Sequence, residues 1–280
     1  MPFRSFAVGV SDASASPTRQ HSIALVPSGS PGVRDVEPLT VFGYDDAPFG
    51  HASVVLDGCA VGDGVGTAAP AWSAPADGAC EALLGGPVGA GRGMLMAQAR
   101  LGPGRVHHCM RAVGLAERVL EGLVRRAASR RTFGRALLGH GALQRDVSHS
   151  RMELDAARAM VMRAAAILDE EAAAAERGGA EAVRLGGAAL SQRARAAVSG
   201  IKVFVPRVAL AVMDRSIQVH GGAGVEGASL TARAYAGMRC LRIADGPDDV
   251  HDRTLAGLEA TRVLGKAAAR AALSSRPARL

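Results

Sequence analysis

The stretch Val106-His107-His108-Cys109-Met110-Arg111-Ala112-Val113-Gly114-Leu115-Ala116-Glu117-Arg118-Val119-Leu120-Glu121-Gly122-Leu123-Val124 decides the fold class. Val106, Met110, Val113, Leu115, Val119, Leu120, Leu123 and Val124 recur at helical spacing, with Arg and Glu on the other side, the mark of a long helix with one buried face. Such a helix needs partners, and the chain supplies them. Residues 143–175 give a second helix, with Val147, Met152, Leu154, Met160, Val161 and Ile167 on or near one face. A third runs over 201–219, with Pro206 near its first turns, where a missing amide is tolerated. A fourth spans 230–243 and a fifth 248–265. Long helices with short joins and apolar stripes pack as an antiparallel bundle, so the chain reads as mainly α.

Upstream the pattern is different. Residues 3–10, 22–26, 33–41 and 53–56 are apolar or alternating runs cut by Ser, Asp, Pro and Gly, and read as strands too few to stand alone. Gly, Ala and Pro then dominate from Gly58 to Gly91, around a lone Trp72. The predicted organisation is a partial β-domain over 1–57, a loop or linker over 58–92, a helical bundle over 93–265 and a basic, frayed tail over 266–280. Within the bundle, Gly178, Gly179, Gly186 and Gly187 make residues 176–200 a loose Ala-rich extension.

Composition narrows the function classes. The chain has 280 residues, 48% of them apolar, enough for a sizeable core. No uninterrupted apolar run of membrane-spanning length and no secretory leader pattern is found, and the cytoplasm is the expected location. Cys59, Cys80, Cys109 and Cys240 are scattered, without the spacing of a zinc site or a disulfide framework, and read as ordinary thiols. No metal site is expected. The net charge of +7 comes almost wholly from dispersed Arg, with aromatics at 3% and no basic tract, which argues against nucleic acid and leaves phosphate-rich small ligands open.

Three further segments carry chemistry. Leu241-Arg242-Ile243-Ala244-Asp245-Gly246-Pro247-Asp248-Asp249-Val250-His251 puts a carboxylate on a glycine turn after a helix; Asp245 can act there as a base or simply cap the next helix. Ser129-Arg130-Arg131-Thr132-Phe133-Gly134 follows one amphipathic helix, and Gln218-Val219-His220-Gly221-Gly222-Ala223-Gly224 closes another. A Gly-Gly helix stop explains the glycines by itself, and Arg130 lies in a run of arginines. His107 and His108 point about 100° apart on a helix, a poor geometry for sharing a metal, and read as packing or polar surface residues.

The order and separation of these segments resemble the C-terminal half of the acyl-CoA dehydrogenase family, in its subgroup with Asp where most members carry a catalytic Glu. Val41-Phe42-Gly43-Tyr44-Asp45-Asp46-Ala47-Pro48, Gly91-Arg92-Gly93, residues Arg100 to Arg111 and Gly114-Leu115-Ala116-Glu117-Arg118 are similar to that subgroup as well. The resemblance covers nearly all the chain except 58–91 and 176–199. It implies an FAD-dependent oxidoreductase of fatty acid metabolism that forms the α,β double bond of an acyl-CoA thioester. Asp245 takes the α-proton, and hydride passes to flavin N5. By the same resemblance Arg130, Thr132, Phe133, Gln218, Gly221, Gly222 and Asp249 contact the flavin. Arg105, on a Gly102-Pro103-Gly104 turn, and the Gly246 amide contact the acyl-CoA. Pro247 has no amide to give where relatives contact the flavin. The family's N-terminal helical domain and flavin-binding β-loop have no counterpart in the chain, so a truncated or split enzyme is expected. A homo- or hetero-oligomer and an electron-transfer acceptor are the implied partners. The alternative is a non-catalytic helical subunit with a structural or regulatory role in such an oligomer.

Overall fold

The computed structural model describes residues 5–16, 19–45, 50–59, 83–177 and 190–274. Most of the linker, with Trp72 and Cys80, and most of the Gly-rich stretch after residue 177 lie outside the described residues. The chain divides into two compact units, one comprising 1–100 and 184–189, the other 101–183 and 190–280.

In the first unit, β1 (Ser5–Ser11) pairs antiparallel with β2 (His21–Pro27), and β3 (Val33–Leu39) with β4 (His51–Leu56). These are separate two-stranded ladders, the second interrupted by a register shift between Arg34 and Glu37. In β2 the period of two is plain: Ala24 and Val26 are buried while Leu25 between them is exposed. The backbone of Leu84 donates to the carbonyl of Ile23 at 2.8 Å, and the short α1 (Gly86–Gly89) follows.

The division between the units falls within α2 (Gly93–Ser129). Pro103 lies inside this helix, so Gly102-Pro103-Gly104 is no turn. A ring at that position removes one amide and crowds the carbonyl four residues earlier. A Cβ on Gly102 before it would come 3.4 Å from Leu190, an ordinary van der Waals contact.

A small hairpin, β5 (Arg131–Thr132) with β6 (Arg135–Ala136), and a 3-10 turn (Leu137–Gly139) lead into α3 (Gly141–Arg177). Next come α4 (Gln192–His220), the single turn α5 (Gly222–Val225), α6 (Leu230–Cys240), α7 (Asp248–Leu264) and α8 (Lys266–Ser274). The third helix therefore begins nine residues before the position its large apolar residues mark. Ser191 starts it: its hydroxyl accepts from the Ala194 amide at 3.1 Å, and Glu171 holds Ser191 in place. An Ala-rich first section has high helix propensity but little visible periodicity. Pro206 is consequently well inside the helix. The tail is helical as far as Ser274, where fraying had been expected.

α4 is the central helix and packs against α3, α6 and α7. It is long and apolar enough to cross a membrane by length and composition, but most of that apolar window is buried inside the protein. Ile201, Val205, Val208, Val212 and Met213 meet Leu154 and Val161 of α3, Ala112, Val113 and Val119 of α2, and Met238 of α6 in one core. Each large aliphatic side chain buried there contributes about 1.5–3 kcal/mol. Glu117 on α2 takes Arg151 and Arg158 of α3, both at 2.5 Å, and Arg215 of α4 forms a two-pronged pair with Glu153 of α3 at 2.7 and 3.0 Å.

Candidate active site

The loop between α6 and α7 is held from three sides by its main-chain carbonyls. Arg105 of α2 donates through Nε to the carbonyl of Asp245 at 2.9 Å. His251, on the second turn of α7, reaches the same oxygen from Nε2 at 3.2 Å. Since a carbonyl only accepts, Nε2 carries the proton, and Nδ1 accepts from the Ser199 hydroxyl at 3.3 Å. Lys202 of α4, only 1% exposed, donates to the carbonyls of Leu241 and Gly246. Burial lowers the Lys202 pKa from the ordinary lysine value, against the pull of Cys109, Asp248 and Asp245. Burial likewise lowers that of His251 and keeps the ring neutral.

These contacts stabilise an unusual backbone. Asp245 has φ 57° and Gly246 φ 104°, both in the left-handed region. Gly246 is required twice over, because a Cβ there would also come 2.8 Å from Nε2 of His251. The far side of the loop is tied by Asp248, whose Oδ2 accepts from Arg242 at 2.7 Å and Arg207 at 3.1 Å. Burial alone would raise the Asp248 pKa; the two guanidiniums outweigh it and hold it below the usual carboxylate value.

Asp245 is not the cap of α7. The capping position is Pro247, with no side-chain bond to the helix, and the Asp245 carboxylate is 21% exposed. Its Oδ2 lies 3.3 Å from Nε2 of His108. His108, read from the sequence as a packing or polar surface residue, is half-buried one turn after Arg105 on α2 and lies beside this carboxylate. Its neighbour Cys109 is buried, donates weakly to the Ile201 carbonyl at 3.5 Å, and is pushed up to about 12 by burial, which makes it inert at neutral pH.

Of the residues singled out in the sequence, Arg105, Asp245 and Gly246 are therefore brought together. The others lie elsewhere on the bundle. Arg130 is exposed after α2, Thr132 is half-buried in β5, and Phe133 is 97% exposed at φ 48° on the hairpin turn. Gln218 is exposed on the last turn of α4; Gly221 ends that helix at φ 65°, its amide bonded to the carbonyls of Ile217 and Gln218, and Gly222 opens α5. Asp249 is exposed on the first turn of α7. Lys202, His251 and Asp248 escaped the sequence reading, although Lys202 had one signal: a lysine within an otherwise apolar helical run. Among the described residues no group of three or more His, Cys, Asp or Glu is placed to hold a metal ion.

The family described as acyl-CoA dehydrogenase, C-terminal domain, matches residues 91–260. The "Probable acyl-CoA dehydrogenase FadE2" of Mycobacterium tuberculosis is 39% identical over 255 residues, 91% of this chain and 53% of that protein. The "Probable acyl-CoA dehydrogenase IBR3" of Arabidopsis thaliana is 40% identical over 91% of this chain and 26% of its own length. A solved "putative acyl-CoA dehydrogenase from Mycobacterium abscessus" superposes with a TM-score of 0.74 at 34% identity, covering 92% of this chain and 55% of that one. The butyryl-CoA dehydrogenase of Megasphaera elsdenii, 20% identical with a TM-score of 0.64, shares the fold. The chain thus spans from about a quarter to about half the length of these curated relatives. It belongs to the acyl-CoA dehydrogenase family, and residues 91–260 are its C-terminal domain.

Proposed function

We infer that this chain supplies the proton-abstracting side of an FAD-dependent acyl-CoA dehydrogenase, completed by the segments its relatives carry beyond the matched region. The observation that carries this reading is Asp245: a partly exposed carboxylate on a left-handed turn, unused as a helix cap, with its own carbonyl held by Arg105 and His251. Backbone strain of this kind costs about 1–3 kcal/mol and persists where surrounding contacts fix it.

In the proposed reaction Asp245 removes the proton from the carbon next to the thioester carbonyl, and the released electron pair is delocalised toward that carbonyl. The Gly246 amide donates to the carbonyl oxygen. Arg105 orients the base by holding its main chain and stands next to the acyl-CoA. Bound FAD supplies the acceptor for the hydride from the β-carbon. The groups that suit its diphosphate and adenine end are the exposed guanidinium of Arg130, the exposed amide of Gln218, the half-buried hydroxyl of Thr132 and the glycine turn at Gly221 and Gly222, whose side-chain positions face open space. Phe133 and Asp249 complete the proposed flavin contacts. Asp is shorter than the usual Glu by about 1.5 Å, so the substrate must lie correspondingly closer. The reading includes an oligomeric assembly and a separate electron-transfer acceptor.

The exposure of Phe133 and Arg130 also favours a second reading, a non-catalytic subunit that docks through this hairpin. One experiment separates the two. The chain is completed with the N-terminal portion of the FadE2 relative, loaded with FAD and assayed for acyl-CoA oxidation. Turnover that is abolished by Asp245→Asn, with flavin retained, supports the enzyme; a flavin-loaded assembly without turnover on any acyl-CoA supports the subunit.

A further inference from the structure

His108 has a second neighbour besides Asp245. Its Nδ1 lies 3.4 Å from Nη1 of Arg111, one turn further along α2. A guanidinium is only a donor, so Nδ1 must be the accepting nitrogen. A neutral imidazole in that position carries its proton on Nε2, the nitrogen that faces the Asp245 carboxylate at 3.3 Å. Burial keeps the ring neutral by lowering its pKa from 6.5; Asp245 opposes this, while Arg111, His107 and Lys202 reinforce it. The charged and titratable groups that act on the pair through space are Arg105, His107 and Arg111 from α2 and Lys202 from α4.

We propose that His108 is a positioning residue for Asp245: fixed in its Nε2–H tautomer by Arg111, it donates to Oδ2 and turns Oδ1 toward the substrate as the proton-accepting oxygen. The proposal rests on the reading of Asp245 as the base and adds what orients it. The physical need is specific to an Asp. A short side chain on a strained turn has little reach to correct its own aim, and an error of about 1 Å can cost about a hundredfold in rate. A directional N–H donor fixes the carboxylate plane, which the carbonyl contacts of Arg105, His251 and Lys202 leave free to rotate about the side-chain bonds.

The tautomer is read directly by nitrogen NMR of the full chain with labelled histidine, titrated with pH. The expected spectrum shows His108 protonated at Nε2 when neutral, titrating below 6.5. Asp245→Asn should move that titration lower by removing the opposing charge, and Arg111→Gln should move it higher and mix the tautomers. A neutral His108 protonated at Nδ1, or a titration indifferent to Asp245→Asn, overturns the pairing. In the completed, FAD-loaded assembly, His108→Leu should lower kcat by about tenfold to a hundredfold with KM nearly unchanged, and His108→Gln, whose amide can donate to the carboxylate, should recover part of the loss. Equal loss in both variants, or none in His108→Leu while Asp245→Asn is inactive, overturns the positioning role. Full turnover by Asp245→Asn overturns the base reading instead, and the NMR result still stands on its own.

Discussion

Nζ of Lys202 and the carbonyl oxygen of Gly246 stand 3.2 Å apart, and the same ammonium also bonds the carbonyl of Leu241. One buried cation from the central helix thereby closes the loop that presents Asp245. Lys202→Met keeps the length and removes the donor, leaving two carbonyls short of a partner. A loss of about 1–3 kcal/mol in unfolding free energy is expected, with faster hydrogen exchange at the Asp248 amide, which bonds the Arg242 carbonyl across the loop. Unchanged exchange there would show that the loop is held by other means.

Gly246→Ala meets both a left-handed φ and the His251 ring. It should cost about 1–3 kcal/mol in a urea titration and remove acyl-CoA oxidation from the completed assembly. Full stability with full activity would place the loop in a different conformation.

Acid should weaken the fold through His251, and His108 adds to the effect. Both rings titrate below 6.5 when folded and at about that value when unfolded. Between the two values the unfolded chain binds more protons, so stability is fully present above the unfolded value and falls as pH drops through it. The urea midpoint should be lower at about pH 5.5 than at about pH 7.5, and the difference should shrink in His251→Gln. A difference of the same size in that variant would assign the effect to other groups.

The helical bundle was legible because Val106 to Val124 and Leu154 to Ile167 mark their buried faces at a period that only a helix satisfies. Strand positions followed from alternation, as at Ala24, Leu25 and Val26. What failed was local punctuation. Pro103 and its flanking glycines look like a turn, yet α2 continues through them, and the Ala-rich start of α4 has no large residues to betray its period. At the site, Arg105, Asp245 and Gly246 were singled out through the family resemblance, and the structure brings these three together. Lys202 and His251 were not singled out, because Lys202 bonds two main-chain carbonyls and His251 one, and an acceptor carbonyl leaves no trace in residue type. The pairing of His108 with Asp245 joins residues 137 positions apart, a contact that helical periodicity cannot announce.

Surface donors should behave differently from the loop. Arg130→Ala and Gln218→Ala, both at exposed positions, should leave unfolding within about 0.5 kcal/mol of the parent while weakening FAD binding to the completed assembly. Titration of FAD absorbance reads the affinity; unaltered binding in both variants would remove these residues from the flavin site.

The central claim is that Asp245 takes the α-proton, and isotope exchange tests it without reference to the electron acceptor. An acyl-CoA thioester deuterated at the α-carbon is incubated with the completed, FAD-loaded assembly in ordinary water. The account predicts loss of the α-deuterium with the parent chain and retention with Asp245→Asn at equal thioester binding. Deuterium loss at the parent rate in Asp245→Asn would contradict it.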